Sequence, residues 1–437
     1  MNRKNKILAK FGFLILTALL GFFSNAQKDS INSLPTQLKP WTEGYLDIHH
    51  INTGRGDATF MLLPDGTTMM FDVGALEGGW AEECRPANRM QVTPVYPNNS
   101  KRPGQWIANY IKQVVPADFS NEIDYAVISH FHGDHYGMIH DKSVWSATEA
   151  YRLSGITDLY DEIPIVQIID RGYPNYDFPK DLRSHNNKEL NFVNYLRFLE
   201  YHVENNNLKV DSLNVGDSRQ ISLLSNPDEY DFMVMPIKSN GTIKDSLTNK
   251  PYQYMSKEDI VNEEGKFGEN PMSIALKISY GDFDYYTGGD NTGVNTKQTT
   301  NGMDWWFDVE TPMANAVGQV EVAVMDHHGV RDAMNQYFVD TLAPQVFVQQ
   351  SITSDHPGQE TFFRMYGLEP TPDFFATNIH NATMATYGGA FRRGYKIRQG
   401  HILIRVLPGG MEYYVLELDH LNPKLEVKNI FGPYKTF

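Results

Sequence analysis

Short apolar runs, mostly β-branched or aromatic and each stopped by a turn signal, recur along most of this chain. Leu46 to Asn52 alternates apolar with polar, and Thr53-Gly54-Arg55-Gly56-Asp57 turns it into the run Ala58 to Leu63. Pro64-Asp65-Gly66 is a hairpin signal, and Thr67 to Phe71 returns before Asp72-Val73-Gly74, so the first elements predict a β-meander. Behind Pro103, which suits a first helical turn, Ile107, Ile111 and Val114 share one helix face. Helical spacing returns at Phe192, Tyr195, Leu196 and Leu199 and again from Asp332 to Leu342. Further strands are predicted over 123–129, 163–170, 220–224, 231–236, 273–279, 283–287, 320–325 and 345–350. A closing hairpin of 402–406 and 411–418 is expected to cover an edge.

One run ends in chemistry. Ile123 to Ser129 is too short for a helix and reads as a buried strand, and it delivers His130-Phe131-His132-Gly133-Asp134-His135 at its end. Imidazole nitrogen and carboxylate oxygen suit first-row divalent metals. His130 and His132 can point one way while Asp134 and His135 reach another point, so two adjacent ions become feasible. A lone pair of His at this spacing would mean little among 14 His. Four ligand-type residues straight after a buried strand carry the metal reading.

This His-x-His-x-Asp-His pattern resembles the signature of the metallo-β-lactamase superfamily. The resemblance implies an α+β fold, a four-layer αββα sandwich, with a one- or two-metal hydrolytic centre at one sheet edge. The leading strand, Gly54-Arg55-Gly56-Asp57-Ala58, Pro64-Asp65-Gly66 and Asp72-Val73-Gly74 narrow it. They look like the hydrolase domain of DNA-uptake competence proteins and are similar to secreted phosphorylcholine esterases. By this likeness Asp72 supports the metal loop through hydrogen bonds. Asp290, after Gly288-Gly289 at the end of 283–287, would bridge two ions. Asp326-His327-His328-Gly329, after 320–325, offers the last ligand, with His327 the first choice and His328 the alternative. His130 and His132 would then hold one ion, and Asp134, His135 and His327 the other. His356, in Asp355-His356-Pro357-Gly358, would sit on the rim to bind substrate or donate a proton. Where many members place a third His, this chain has Asn270, a candidate ligand that leaves the first ion more weakly held. Zinc is the expected metal, with manganese and iron as the other candidates.

The function so implied is metal-dependent hydrolysis by a metal-activated water, whose pKa coordination lowers to about 7. A phosphoester, most simply a phosphodiester, is the first substrate class. Lactones, amides and β-lactams are the alternative, and a non-catalytic metal-binding or sensor protein is the third reading. Arg392, Arg393, Lys396 and Arg398 could meet an anionic substrate or form a solvated face.

Composition sets the partners and the compartment. Arg3, Lys4, Lys6 and Lys10 precede the apolar run Phe11 to Phe23 and then Ser24-Asn25-Ala26, a secretory signal pattern over 1–26 with cleavage after Ala26. The run is short for a membrane span, so no stable anchor is expected. A polar linker over 27–41 and one large unit over 42–437 with insertions follow, the longest being 75–102, which carries Trp80, Arg85, Arg89 and Tyr96. Cleavage removes four basic residues and no acidic one, taking the net charge from −15 to about −19. That disfavours bulk nucleic-acid binding and leaves a small-molecule or phosphoester substrate. A single Cys, Cys84, excludes an intramolecular disulfide and a cysteine-cluster metal site. The expected location is periplasmic or secreted. Intact-mass measurement of exported protein should therefore find Gln27 at the N-terminus, and a retained leader would mean an anchored form.

Overall fold

Period-two alternation assigns each strand's side chains to two different cores. The computed structural model describes residues 37–78, 91–185, 190–260, 268–294 and 304–437. The 1–26 leader, most of the linker, Trp80, Cys84, Arg85 and Arg89 lie outside the described residues. The amino-terminal half supplies β1 Leu46–His50, β2 Ala58–Leu62, β3 Thr68–Val73, β4 Ile123–Val127, β5 Ile165–Asp170, β6 Lys209–Ser212, β7 Phe232–Ser239, β8 Thr242–Lys244 and β9 Pro251–Gln253. The other half supplies β10 Ala275–Tyr280, β11 Phe283–Thr287, β12 Val322–Val324, β13 Val346–Gln349, β14 Asp373–Ala376, β15 Tyr395–Ile397, β16 His401–Val406, β17 Glu412–Leu418 and β18 Val427–Lys435.

Among the described residues these form two nine-stranded sheets, in the orders β18-β17-β16-β1-β2-β3-β4-β5-β6 and β15-β14-β13-β12-β11-β10-β7-β8-β9. Leu46, Ile48, Met69 and Phe71 of the first sheet meet Leu276, Ile278, Val322, Val324, Val346 and Val348 of the second in one apolar layer. Their sequence neighbours point outward. Phe60, Leu62 and Met70 pack beneath the helices Pro103–Val114 and Leu190–Asn206. Ala323, Phe347 and Phe374 pack beneath Glu310–Val317, Gln336–Leu342 and Gln359–Tyr366. Strands apolar on both faces are what a doubly covered sheet requires, and the result is an αββα sandwich of the α+β class.

Both sheets contain a parallel run, β3-β4-β5-β6 in one and β11-β12-β13-β14-β15 in the other. Asp72 is the penultimate residue of β3, and the chain leaves β4, β11, β12 and β13 towards His130, Asp290, His327 and the 350–356 loop. Carboxyl ends of parallel strands from two facing sheets thus supply one shared edge with polar side chains.

Three expectations are corrected. Residues 220–224 are not a strand: Ile221 and Leu223 are buried between the sheets, but the Leu224 and Ser225 amides donate to the side chains of Thr67 and Asp65, 2.9 and 2.8 Å away. The 401–418 hairpin does not cover an edge, because β16 pairs with β1 and the outer position belongs to β18. The helix read from Asp332 begins at Gln336, where the Asn335 side chain accepts from the Phe338 amide at 2.9 Å as an N-cap. Among the described residues no helix is long and apolar enough to cross a membrane.

Within the first sheet, Arg405 on β16 stands directly opposite Asp47 on β1, and its guanidinium donates to both carboxylate oxygens at 2.8 and 2.6 Å, with both residues buried. Removing one member leaves a buried charge unpaired, a change that costs about 3–5 kcal/mol. Arg405→Ala should lower the urea midpoint accordingly, whereas Asp47→Leu with Arg405→Met should recover most of the loss. Equal midpoints for the wild type and the single variant would show the pair to be irrelevant.

Candidate metal centre

Close backbone packing seats the loop after β4. Asp134 carbonyl oxygen accepts from the Asp57 amide at 2.8 Å, and a Cβ on Gly74 or Gly56 would fall 1.8 or 2.6 Å from that oxygen, so both positions exclude any side chain. Asp72, at a left-handed φ of 60°, then ties the strand end to the turn. Its Oδ1 accepts from the Ser129 amide at 2.7 Å, and its Oδ2 accepts from Ser129 Oγ at 2.7 Å and from His135 Nδ1 at 2.8 Å. With Nδ1 donating, Nε2 of His135 carries the lone pair and faces Asp290 Oδ1 at 3.1 Å.

A second brace holds the loop between Ser129 and His135. The Phe131 amide, between His130 and His132, donates to Glu269 Oε1 at 3.0 Å. Arg171, fully buried, donates to both Glu269 oxygens at 2.8 and 2.7 Å and lies 4.7 Å from the Phe131 ring centre. In this setting His130 Nε2 and His132 Nδ1 stand 3.1 Å apart, and His130 Nε2 is 3.5 Å from Asp290 Oδ2. His132 is exposed, whereas His130, His135 and Asp290 are buried.

The two histidines after β12 part company. His327, His328 and Gly329 have φ of 46°, 55° and 74°, a run of left-handed backbone that is strained for the two non-glycine residues. The turn sends successive rings to different places. His328 Nε2 lies 3.3 Å from Asp134 Oδ2 and 3.6 Å from Asp290 Oδ1, with its Nδ1 donating to the Gln350 carbonyl at 3.0 Å. His327 Nε2 is 3.7 Å from Asp290 Oδ2 and 2.9 Å from Asn270 Nδ2. Of the two candidates it is His328, the alternative, that lies beside Asp134, while His327 faces the other oxygen of Asp290.

Buried polar atoms normally have hydrogen-bond partners. His135 Nε2, His328 Nε2 and Asp290 Oδ1 are buried, converge on one point and have none. Orphans of this kind, two imidazole lone pairs and a carboxylate oxygen, fit a divalent cation, so the donor set suits zinc. His130, His132 and Asp290 form a second group with mutually close donor atoms. Asp57, His135 and His328 also bring donors together, but Asp57 Oδ1 lies 3.2 Å from Nδ1 of His328 and so backs the ring at its other nitrogen.

The charges agree with this. Burial alone would lower the basicity of His135 and His328, yet Asp290, Asp72 and Asp134 around the first and Asp57 and Asp290 around the second hold both well above the usual imidazole range. Burial would raise Asp290, but His135, His328, His327 and His130 keep it well below the ordinary carboxylate range. A field that attracts protons to these rings attracts a metal cation equally.

Around the centre opens a cavity of about 480 Å³ with an apolar wall of Leu76, Met138, Val330 and Ile352. His356 lines it and stacks on His328 with 4.6 Å between ring centres. Burial and neighbouring His328 push its pKa down to about 3. Its Nδ1 accepts from the Ile352 amide at 3.3 Å, so the neutral ring carries its proton on Nε2. Of the 75–102 insertion, residues 91–93 run beside 352–354, where Val92 bridges Thr353. Arg392, Arg393, Lys396 and Arg398 are exposed and none lines the cavity; Arg331 does. His202 is a buried residue bonded to Tyr151 at 2.6 Å, away from the cavity.

Sequence reading missed Asp57, Arg171, Glu269 and Asp332 as parts of this region. Asp57 sat inside the quoted Gly-x-Gly-Asp stretch and was signalled only as a turn. Arg171 and Glu269 are 98 positions apart, and nothing local couples them.

No protein-family model matches the chain, and no curated protein does. Solved structures with a similar fold include the following two. Zinc-bound PqqB from Methylobacterium extorquens shares 10% identity over 82% of this chain and 99% of its own, with a TM-score of 0.35. Human tRNase Z, short form, shares 13% over 69% and 91%, with a TM-score of 0.31. Likenesses of that strength leave the site to be read from its own residues.

Protein reconstituted with zinc should carry two ions per chain by elemental analysis. Asp72→Ala, which removes a brace and no donor, should remain folded and bind about 10- to 100-fold more weakly. Retention of wild-type affinity would remove Asp72 from the supporting role.

Proposed function

We propose that this chain is an exported metal-dependent hydrolase of the metallo-β-lactamase type, acting on a small phosphodiester. The observation that carries the reading is the convergence of His130, His135 and His328 on the two oxygens of Asp290, with His132 beside His130 and Asp134 beside His328. Bound divalent ions would supply a water acidic enough to attack at neutral pH and a counter-charge for the anion that develops. Asp290 fixes the spacing of the two donor groups, since its Oδ1 faces His135 and His328 while its Oδ2 faces His130. Asp134 and His328 close the inner group, and Asp72 keeps the His135 lone pair aimed inward.

Charge selects the substrate class. Bound dications would present positive charge directly to an incoming substrate oxygen, while Asp57, Asp72 and Asp332 stand behind the imidazoles, and that favours an anionic ester over a neutral amide. The cavity volume suits a small molecule, and its apolar wall suits an uncharged leaving group. His356, neutral with its proton on Nε2, offers a hydrogen bond to a substrate oxygen instead of a transferable proton. A second reading, hydrolysis of a lactone, amide or β-lactam, is favoured by the same wall of Leu76, Met138, Val330 and Ile352.

Metal-replete protein assayed with bis(p-nitrophenyl) phosphate, p-nitrophenyl phosphate, a γ-lactone and nitrocefin should turn over the diester fastest. Asp290→Ala, which removes a donor from both groups, should lose more than the roughly 100-fold that removal of a supporting residue costs. Cleavage of the lactone or nitrocefin alone would establish the second reading. Silence on every probe would leave a metal-binding or sensor protein.

A further inference from the structure

The ion held by His130 and His132 has, on the expectation from Asn270, too few imidazoles. The turn after β12 answers this. His327 Nδ1 donates to Asp332 Oδ1 at 2.6 Å, which leaves its Nε2 as a lone pair. A carboxylate behind the distal nitrogen is the usual companion of a metal-bound imidazole, and Asp72 stands to His135 in the same relation, at 2.8 Å.

That lone pair points at the first donor group. His327 Nε2 and His130 Nε2 face the same oxygen, Asp290 Oδ2, at 3.7 and 3.5 Å, and His130 Nε2 is 3.1 Å from His132 Nδ1. Donors around a tetrahedral zinc, with bonds of about 2.0–2.1 Å, stand about 3.3 Å apart. The three measured separations bracket that value. The Nε2 lone pair of His327 accepts from Asn270 Nδ2 at 2.9 Å, a hydrogen bond that a bound ion would replace, so residue 270 contacts the imidazole that serves in its stead.

We propose that His327 is the third imidazole of the ion held by His130 and His132, so that the consecutive residues His327 and His328 serve different ions and Asp332 is the positioning residue for the first of them. The inference rests on the two-metal reading above. It removes the reason for expecting the first ion to be the weaker. It also explains why the chain accepts two successive strained residues: an ordinary extended backbone turns neighbouring side chains to opposite faces of a strand, whereas this left-handed turn brings both rings around one carboxylate.

Calorimetric titration of the demetallated chain with zinc, with cobalt absorption as a second readout of coordination, tests this. His327→Asn is the variant of choice, because Asn tolerates left-handed backbone. It should keep one ion at wild-type affinity and bind the other at least about 100-fold more weakly, more than loss of a supporting residue alone. Asp332→Asn should weaken the same ion by about 10- to 100-fold and leave the other unchanged. Asn270→His added to His327→Asn should restore the lost ion. Near-ultraviolet circular dichroism would identify a variant that fails to fold, and His327→Gln then provides the same comparison. Two ions at unchanged affinity in folded His327→Asn would overturn this assignment and leave the hydrolase reading standing. A wild-type chain that binds no ion would overturn both.

Discussion

Asp290 leaves the second sheet with its carboxylate buried, and a buried carboxylate without compensation is among the costliest groups a fold can contain. Its two oxygens meet imidazoles carried by the first sheet's loop, His135 at 3.1 Å and His130 at 3.5 Å, and imidazoles carried by its own sheet, His328 at 3.6 Å and His327 at 3.7 Å. The rest of the edge is arranged to permit this meeting. Gly56 and Gly74 bring the first sheet's loop close, Asp72 holds it at Ser129 and His135, Glu269 holds it between them at Phe131, and the left-handed turn at His327 and His328 brings the second sheet's rings around.

Positive charge is therefore required where the sheets meet. Without a cation the demand falls on protons at His135 and His328, which their carboxylate neighbours make unusually basic. Since metal ligands must be deprotonated, cation and proton compete for the same lone pairs. Stability and metal binding are thus coupled at one point: the interaction that balances Asp290 also joins loops from both halves of the sandwich.

Much of this was legible from local pattern. The strand ending in His130-Phe131-His132-Gly133-Asp134-His135 is a contiguous signal next to a strong apolar run, and the family resemblance it carries pointed to Asp72 and to Asp290 after its Gly-Gly pair. Strands with weak patterns were not legible, such as β6 with Lys209-Val210-Asp211-Ser212 and the exposed β9. Long-range braces were illegible for a different reason. Nothing in the sequence couples Arg171 to Glu269, and only the fold buries the guanidinium against Phe131 and the metal loop. The basic cluster at 392–398 left two readings open, substrate contact and solvated face, and its exposed position away from the cavity fits the second.

The choice between His327 and His328 marks where sequence reasoning must stop. Both candidates follow the same strand, have the same chemistry and differ by one position, so spacing cannot separate them. Backbone conformation does. A non-glycine residue at positive φ is held there only when its surroundings over-determine it, and here each ring is fixed at its distal nitrogen: His327 by Asp332, His328 by the Gln350 carbonyl. Those two hydrogen bonds commit both Nε2 atoms to the interior and oppose the strain of the turn. A pair that looked like one ligand and a neighbour is better described as two rings oriented independently, and the orientation comes from residues 5 and 22 positions away along the chain.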